Sequence, residues 1–205
     1  MSGEDLPQMA QLPLITAERS ALQALGFGQR CLAVGGYAEE SVFALGENAQ
    51  LICCLRPFTV AHQWGALPLS FPVADRFLQQ MRPLGGKSVA VCGDVDRLLP
   101  FYRAGVFDLV LLEPFPPGIL TEALVDTITD LLRPRGCCAL LPGDAGTGLG
   151  RHLRGCWGDP AGSVGRLLWW HKPETYAQRL RRRMAEMLPR SMRAQARRFL
   201  AGQVR

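Results

Sequence analysis

Four short segments carry the residues whose types could do chemistry, and each directly follows an apolar run. They are Val34-Gly35-Gly36-Tyr37-Ala38-Glu39, Leu55-Arg56-Pro57, Cys92-Gly93-Asp94-Val95-Asp96 and Leu112-Glu113-Pro114-Phe115-Pro116-Pro117. If the runs are strands of an open parallel sheet, ligands bind in the crevice beyond the strands' carboxyl ends, where all four segments fall. Glu113 there reads as a substrate-facing acid, against the plainer reading of a solvated strand end. Asp94 reads as a ligand-recognising acid or as the cap of a following helix, and one residue can do both. The prolines after Glu113 equally suit a rigid loop that closes the strand.

Other chemistries find less support. His62, His152 and His171 have no Cys-x-x-Cys to join, so no metal is expected. His171, after Trp169-Trp170, is expected to be partly buried and structural. Seven cysteines, an odd number, include the adjacent pairs Cys53-Cys54 and Cys137-Cys138 within apolar runs. Reduced thiols packing as small hydrophobes, one of each pair on either face of a sheet, fit this better than disulfides. Neither a Gly-x-Ser-x-Gly elbow nor a Gly-x-x-x-x-Gly-Lys loop occurs, which counts against hydrolase and P-loop chemistry.

The elements that must position these residues are visible as short apolar runs bounded by turn residues: 30–34, 50–55, 88–92, 107–112 and 137–141. They are of strand length with little polar alternation, as in strands covered on both faces by helices. Helical spacing appears over Val73–Met81 and over Ile119–Leu132, where Leu120, Leu124, Ile128 and Leu131 recur. A short helix Ala17–Leu25 is expected, with Thr16 as N-cap, Glu18 in the first turn and Gly26 as the stop. Another falls near Leu149–Leu153, followed by a last strand, Val164–Trp170. The alternation predicts an open α/β sheet.

Over residues 30–172 the chain resembles a class I S-adenosylmethionine-dependent methyltransferase. The block Phe107–Leu141 is similar to that family's fourth strand, its helix and the Leu-Lys-Pro-Gly-Gly lead into the fifth. Gly93-Asp94-Val95 is similar to the Gly-Asp-Ala element after the third strand, and Leu167–Lys172 to the final antiparallel strand. The resemblance implies a Rossmann-like three-layer sandwich with a mostly parallel seven-stranded sheet and S-adenosylmethionine as cofactor. It implies cofactor contacts from Gly35, Gly36, Tyr37, Arg56, Asp94 and Val95, with Asp94 at the adenine end, and a nucleophile beside Glu113 and Phe115. Two departures stand out. Only Gly35 and Gly36 remain of the family's Gly-x-Gly-x-Gly loop. Leu55-Arg56 replaces the acid that holds the ribose hydroxyls, and an arginine accepts no hydroxyl protons. Glu113-Pro114-Phe115-Pro116-Pro117 only partly matches the Asp/Asn-Pro-Pro-aromatic element of amino-methylating members.

The chain has 205 residues, 48% of them hydrophobic and 20% charged, enough for one sizeable core. No apolar run approaches the ~18–20 residues of a membrane span, and the acidic start with Pro7 and Pro13 does not read as an export signal, so a soluble, cytoplasmic protein is expected. Residues 1–172 hold 14 Lys/Arg against 16 Asp/Glu, whereas 173–205 hold nine Arg against Glu174 and Glu186. We therefore divide the chain into an N-terminal helical flank (1–29), a Rossmann-like domain (30–172) and an Arg-rich amphipathic helical tail (173–205) that forms a basic C-terminal extension. The tail suits an anionic partner, whether protein, RNA or membrane surface, and self-association is left open. Two functional readings result: a methyltransferase of unknown acceptor with an atypical cofactor site, or a catalytically inactive relative that binds proteins through its basic tail. A nicotinamide dinucleotide answered by Arg56 is the weaker third, because its glycine pattern is missing too.

Overall fold

The apolar runs become a seven-stranded sheet because helices bury both of its faces. The structure is a computed structural model that describes residues 13–35, 39–57, 79, 81–93, 98–113, 122–141 and 148–175. Its strands are β1 (Arg30–Val34), β2 (Leu51–Pro57), β3 (Ser88–Gly93), β4 (Phe107–Leu112), β5 (Leu132–Leu140), β6 (Gly162–Val164) and β7 (Leu167–His171). They lie in the order β3-β2-β1-β4-β5-β7-β6. The sheet is mixed: pairing is parallel from β3 across to β5 and antiparallel at β5–β7 and β6–β7. The α-helices among the described residues are α1 (Thr16–Gly26), α2 (Glu39–Glu47), α3 (Glu122–Asp130) and α4 (Gly148–Trp157). None of them is long and apolar enough to cross a membrane.

Alternate strand residues supply two cores. Cys31 and Ala33 of β1 pack with Leu22 of α1 and Val42, Ala44 and Leu45 of α2, while Leu32 and Val34 pack with Val125 and Ile128 of α3 and Leu153 of α4. A strand buried on both sides needs no polar positions, which is why the runs lack alternation. The cysteine pairs divide as expected: Cys54 and Cys137 join the first core, Cys53 and Cys138 the second. Burial pushes the Cys31 and Cys137 thiols up to about 12 and raises that of Cys138 as well, so these thiols stay protonated and act as packing groups.

Several boundaries differ from the sequence expectation. Thr16 is the first helical residue of α1 rather than its cap. The cap position falls on Ile15, whose N–H donates to Glu18 Oε2 at 3.2 Å. The expected last strand is two strands joined at Gly165-Arg166, where Gly165 has φ +56°, the backbone a two-residue hairpin requires. A Cβ on Gly165 would lie 2.6 Å from Glu18 Oε1, so this turn also lets α1 approach the hairpin. His171 is exposed at the end of β7, not partly buried. α2 has no counterpart in the sequence reading. Most of Val73–Met81, the start of the helix expected from Ile119 and the basic tail beyond Thr175 lie outside the described residues, and Glu174 and Thr175 are not helical. The chain divides into two compact units, Met1–Lys172 and Pro173–Arg205.

At the amino ends of the parallel strands, Asp108 accepts a hydrogen bond from the Arg30 N–H (2.8 Å) and pairs with Arg133 (2.7 Å), tying β1 to the start of β5. Lys172 donates to the carbonyls of Thr129 and Leu132, closing the carboxyl end of α3. At the irregularity near the start of β5, where its pairing with β4 shifts register, Arg135 sits at φ +64°, a left-handed conformation costing a non-glycine residue roughly 1–2 kcal/mol. Replacing exposed Arg135 with Gly is expected to raise stability by about 0.5–1 kcal/mol, the larger freedom of the unfolded glycine cancelling part of the gain. Urea unfolding of the two proteins measures the difference; a fall in stability would show that the Arg135 side chain contributes more than its backbone strain costs.

Candidate functional site

β1 and β4 lie side by side in register, Val34 against Leu112, so Gly35 and Glu113 leave the sheet together at its carboxyl edge. Main-chain pairing continues one residue beyond each strand. The Glu113 N–H donates to the Val34 carbonyl (2.9 Å) and the Gly35 N–H to the Leu55 carbonyl (3.2 Å). The connections that follow go to opposite faces, α2 packing on the first core and α3 on the second, so the edge between β1 and β4 is the topological switch point where open α/β sheets bind ligands.

Gly35 is required there twice over. Its φ of +153° is a conformation that residues with a side chain rarely adopt, and a Cβ would lie 2.4 Å from the Glu113 Cβ. Glu113 is 1% exposed, which corrects the plainer expectation of a solvated strand end. Its carboxylate Oε1 accepts the hydroxyl of Ser41, itself fully buried in the first turn of α2, where the helix dipole favours negative charge. Acid, hydroxyl and glycine from β4, α2 and β1 thus meet at one point. Ser41 escaped the sequence reading. Its signal is a small polar residue opening the otherwise apolar buried stripe Val42, Ala44 and Leu45 just after the first strand.

Arg56 is placed by its backbone near the carboxyl end of β2, opposite Cys92 of β3. Gly36, Tyr37, Asp94, Val95 and Phe115 lie outside the described residues, so of the expected site the structure brings together Gly35 and Glu113.

No family model matches the sequence, and no curated protein matches it. Solved structures do. A protein from Corynebacterium glutamicum superposes with a TM-score of 0.59 at 14% identity, over 80% of this chain and 84% of that one. A methyltransferase from Geobacter sulfurreducens gives 0.56 at 12% identity, over 79% and 81%. The N-methyltransferase NodS from Bradyrhizobium japonicum gives 0.53 at 14% identity, over 76% and 94%. The chain has the class I methyltransferase-like fold. Within this fold the shortened glycine loop and the Arg56 position are where the sequence departs from the family pattern, in keeping with a match that structure reveals and sequence comparison does not. The Asp108 of the resembling Phe-Asp-Leu-Val block has a structural task in this methyltransferase-like fold, through Arg30 and Arg133.

Proposed function

We propose that the chain is an S-adenosylmethionine-dependent methyltransferase with an atypical cofactor site, acting on an acceptor nucleophile held near Glu113 and Phe115. The observation that supports the reading is the meeting of Gly35 and Glu113 at the switch point, where the two strand ends pass so closely that a Cβ on Gly35 would lie 2.4 Å from the Glu113 Cβ. Gly35, Gly36 and Tyr37 would line the methionine and ribose end, and Asp94 with Val95 the adenine end. Arg56 replaces a carboxylate acceptor, so the ribose hydroxyls must be held by other groups. The cofactor supplies a methyl group on a sulfonium. The protein's part is to align the nucleophile with it and exclude water, which needs no catalytic dyad unless the acceptor must lose a proton. The Ser41 contact orients the Glu113 carboxylate for a positioning task. A cytoplasmic setting fits this reading.

A second reading, a catalytically inactive relative that binds an anionic partner through its Arg-rich tail, is favoured by Arg56 at the ribose position. Calorimetric titration with S-adenosylmethionine and with S-adenosylhomocysteine separates the two. Saturable one-to-one binding is expected; absence of binding by both ligands would overturn the methyltransferase reading and leave the scaffold.

A further inference from the structure

On the helical layer formed by α3 and α4, three side chains of different chemistry converge. Asp126 Oδ1 lies 2.8 Å from His152 Nε2, and Cys156 Sγ lies 3.8 Å from the same nitrogen. All three donor atoms fall within 4.8 Å of one another. His152 and Cys156 are four residues apart on α4, which puts them on one helical face, and Asp126 comes from α3. The two helices are held to the same core through Val125, Ile128 and Leu153, so the arrangement is set by packing and does not depend on a flexible loop. The His152 side chain is only 14% exposed, whereas that of Asp126 is 63% exposed and able to adjust.

We propose that Asp126, His152 and Cys156 form a zinc-binding site that fastens α3 to α4, with a solvent molecule as fourth ligand. Nitrogen, thiolate and carboxylate donors together suit a borderline divalent ion such as zinc better than the oxygen-seeking magnesium or calcium. Tetrahedral zinc with ordinary bond lengths sets its donors roughly 3.3–3.6 Å apart. The observed 2.8 and 3.8 Å bracket that range, so a small turn of the exposed Asp126 opens the space. Binding forms one bond from zinc to each donor. The Cys156 thiol proton passes to solvent, and the neutral imidazole keeps its proton on Nδ1, leaving Nε2 to the metal. The absence of a Cys-x-x-Cys hid the site, because its third ligand lies 26 residues from His152 on another helix.

The test uses the full chain, reduced and stripped of metal by a chelator. Titration with cobalt(II) is expected to give a thiolate-to-cobalt charge-transfer band that saturates at one equivalent, disappears on adding zinc and is lost in Cys156→Ser. In competition with a chromophoric chelator, His152→Ala and Asp126→Asn are each expected to weaken zinc binding at least about tenfold. These side chains lie at or near the surface, and unchanged metal-free unfolding of the variants would confirm that they fold. The proposal is overturned if the wild-type protein gives no such band, if the band survives in Cys156→Ser, or if zinc affinity is the same in His152→Ala.

Discussion

Replacing Glu18 with Ala is expected to destabilise the protein by about 3 kcal/mol at neutral pH, the lower end for breaking a buried ion pair by removing one partner. Glu18 is fully buried, and its carboxylate accepts from the Arg166 backbone N–H (2.7 Å), Nε (3.0 Å) and Nη2 (2.8 Å) as well as from the Ile15 N–H. Arg166 is 32% exposed, so water re-solvates part of the orphaned guanidinium, and its Nη2 keeps the Pro13 carbonyl at 3.0 Å. The hydrogen bonds from the Arg166 side chain, opposed by burial, hold the Glu18 carboxyl at about 2 instead of the usual 4.5. A depressed carboxyl stabilises the fold when ionised, so the contribution is complete above about pH 5 and fades as pH falls from 4.5 through 2, where the folded state too takes up the proton. Linkage over that interval is worth about 3 kcal/mol, the same size as the loss expected from the substitution. Urea midpoints of wild type and Glu18→Ala should therefore lie far apart at pH 7 and converge toward pH 2.5. Curves separated equally at both pH values would mean that the loss comes from packing around α1 rather than from the ion pair.

Gly35→Val should weaken S-adenosylhomocysteine binding at least about 100-fold. A cost of about 1–3 kcal/mol in stability should accompany it, because a β-branched residue is forced into a backbone region reserved for glycine. The first Cβ alone would stand 2.4 Å from the Glu113 Cβ, and neither strand end can retreat without losing the pairings of Gly35 with Leu55 and of Glu113 with Val34. The loop after β1 must then move, and whatever it cradles moves with it. Thermal unfolding and calorimetry on the same preparation separate the effects. A Gly35→Val protein that melts lower yet binds with unchanged affinity would remove Gly35 from the proposed cofactor site.

The parts of this fold that were legible are those encoded by neighbouring residues. β4 falls on Phe107–Leu112, as its apolar run predicts, and each cysteine pair splits between the two cores because adjacent strand residues face opposite sides. α2 was invisible because Glu39–Glu47 is short, opens with two acids and contains Gly46 near its end, which obscures its apolar stripe. The β6–β7 hairpin looks like a single strand in the sequence because its turn consumes only Gly165 and Arg166. The carboxyl-edge positions of Gly35 and Glu113 are legible from the apolar runs that precede them, whereas the hydrogen bond from Ser41 to Glu113 is not, because it joins residues 72 apart in the chain.

By itself the sequence determined the alternation of strands and helices, the carboxyl-edge position of Gly35 and Glu113 and the reduced, buried character of the paired cysteines, since each follows from local periodicity. The tertiary structure alone decided the partners. Strand order sets Glu113 against Gly35 across 78 residues of chain and under Ser41 across 72. Hairpin closure brings Arg166 to Glu18 across 148, and helix packing brings Asp126 to His152 across 26. Such pairings depend on which elements become neighbours, and that is decided by burying both faces of the whole sheet at once rather than by any single segment.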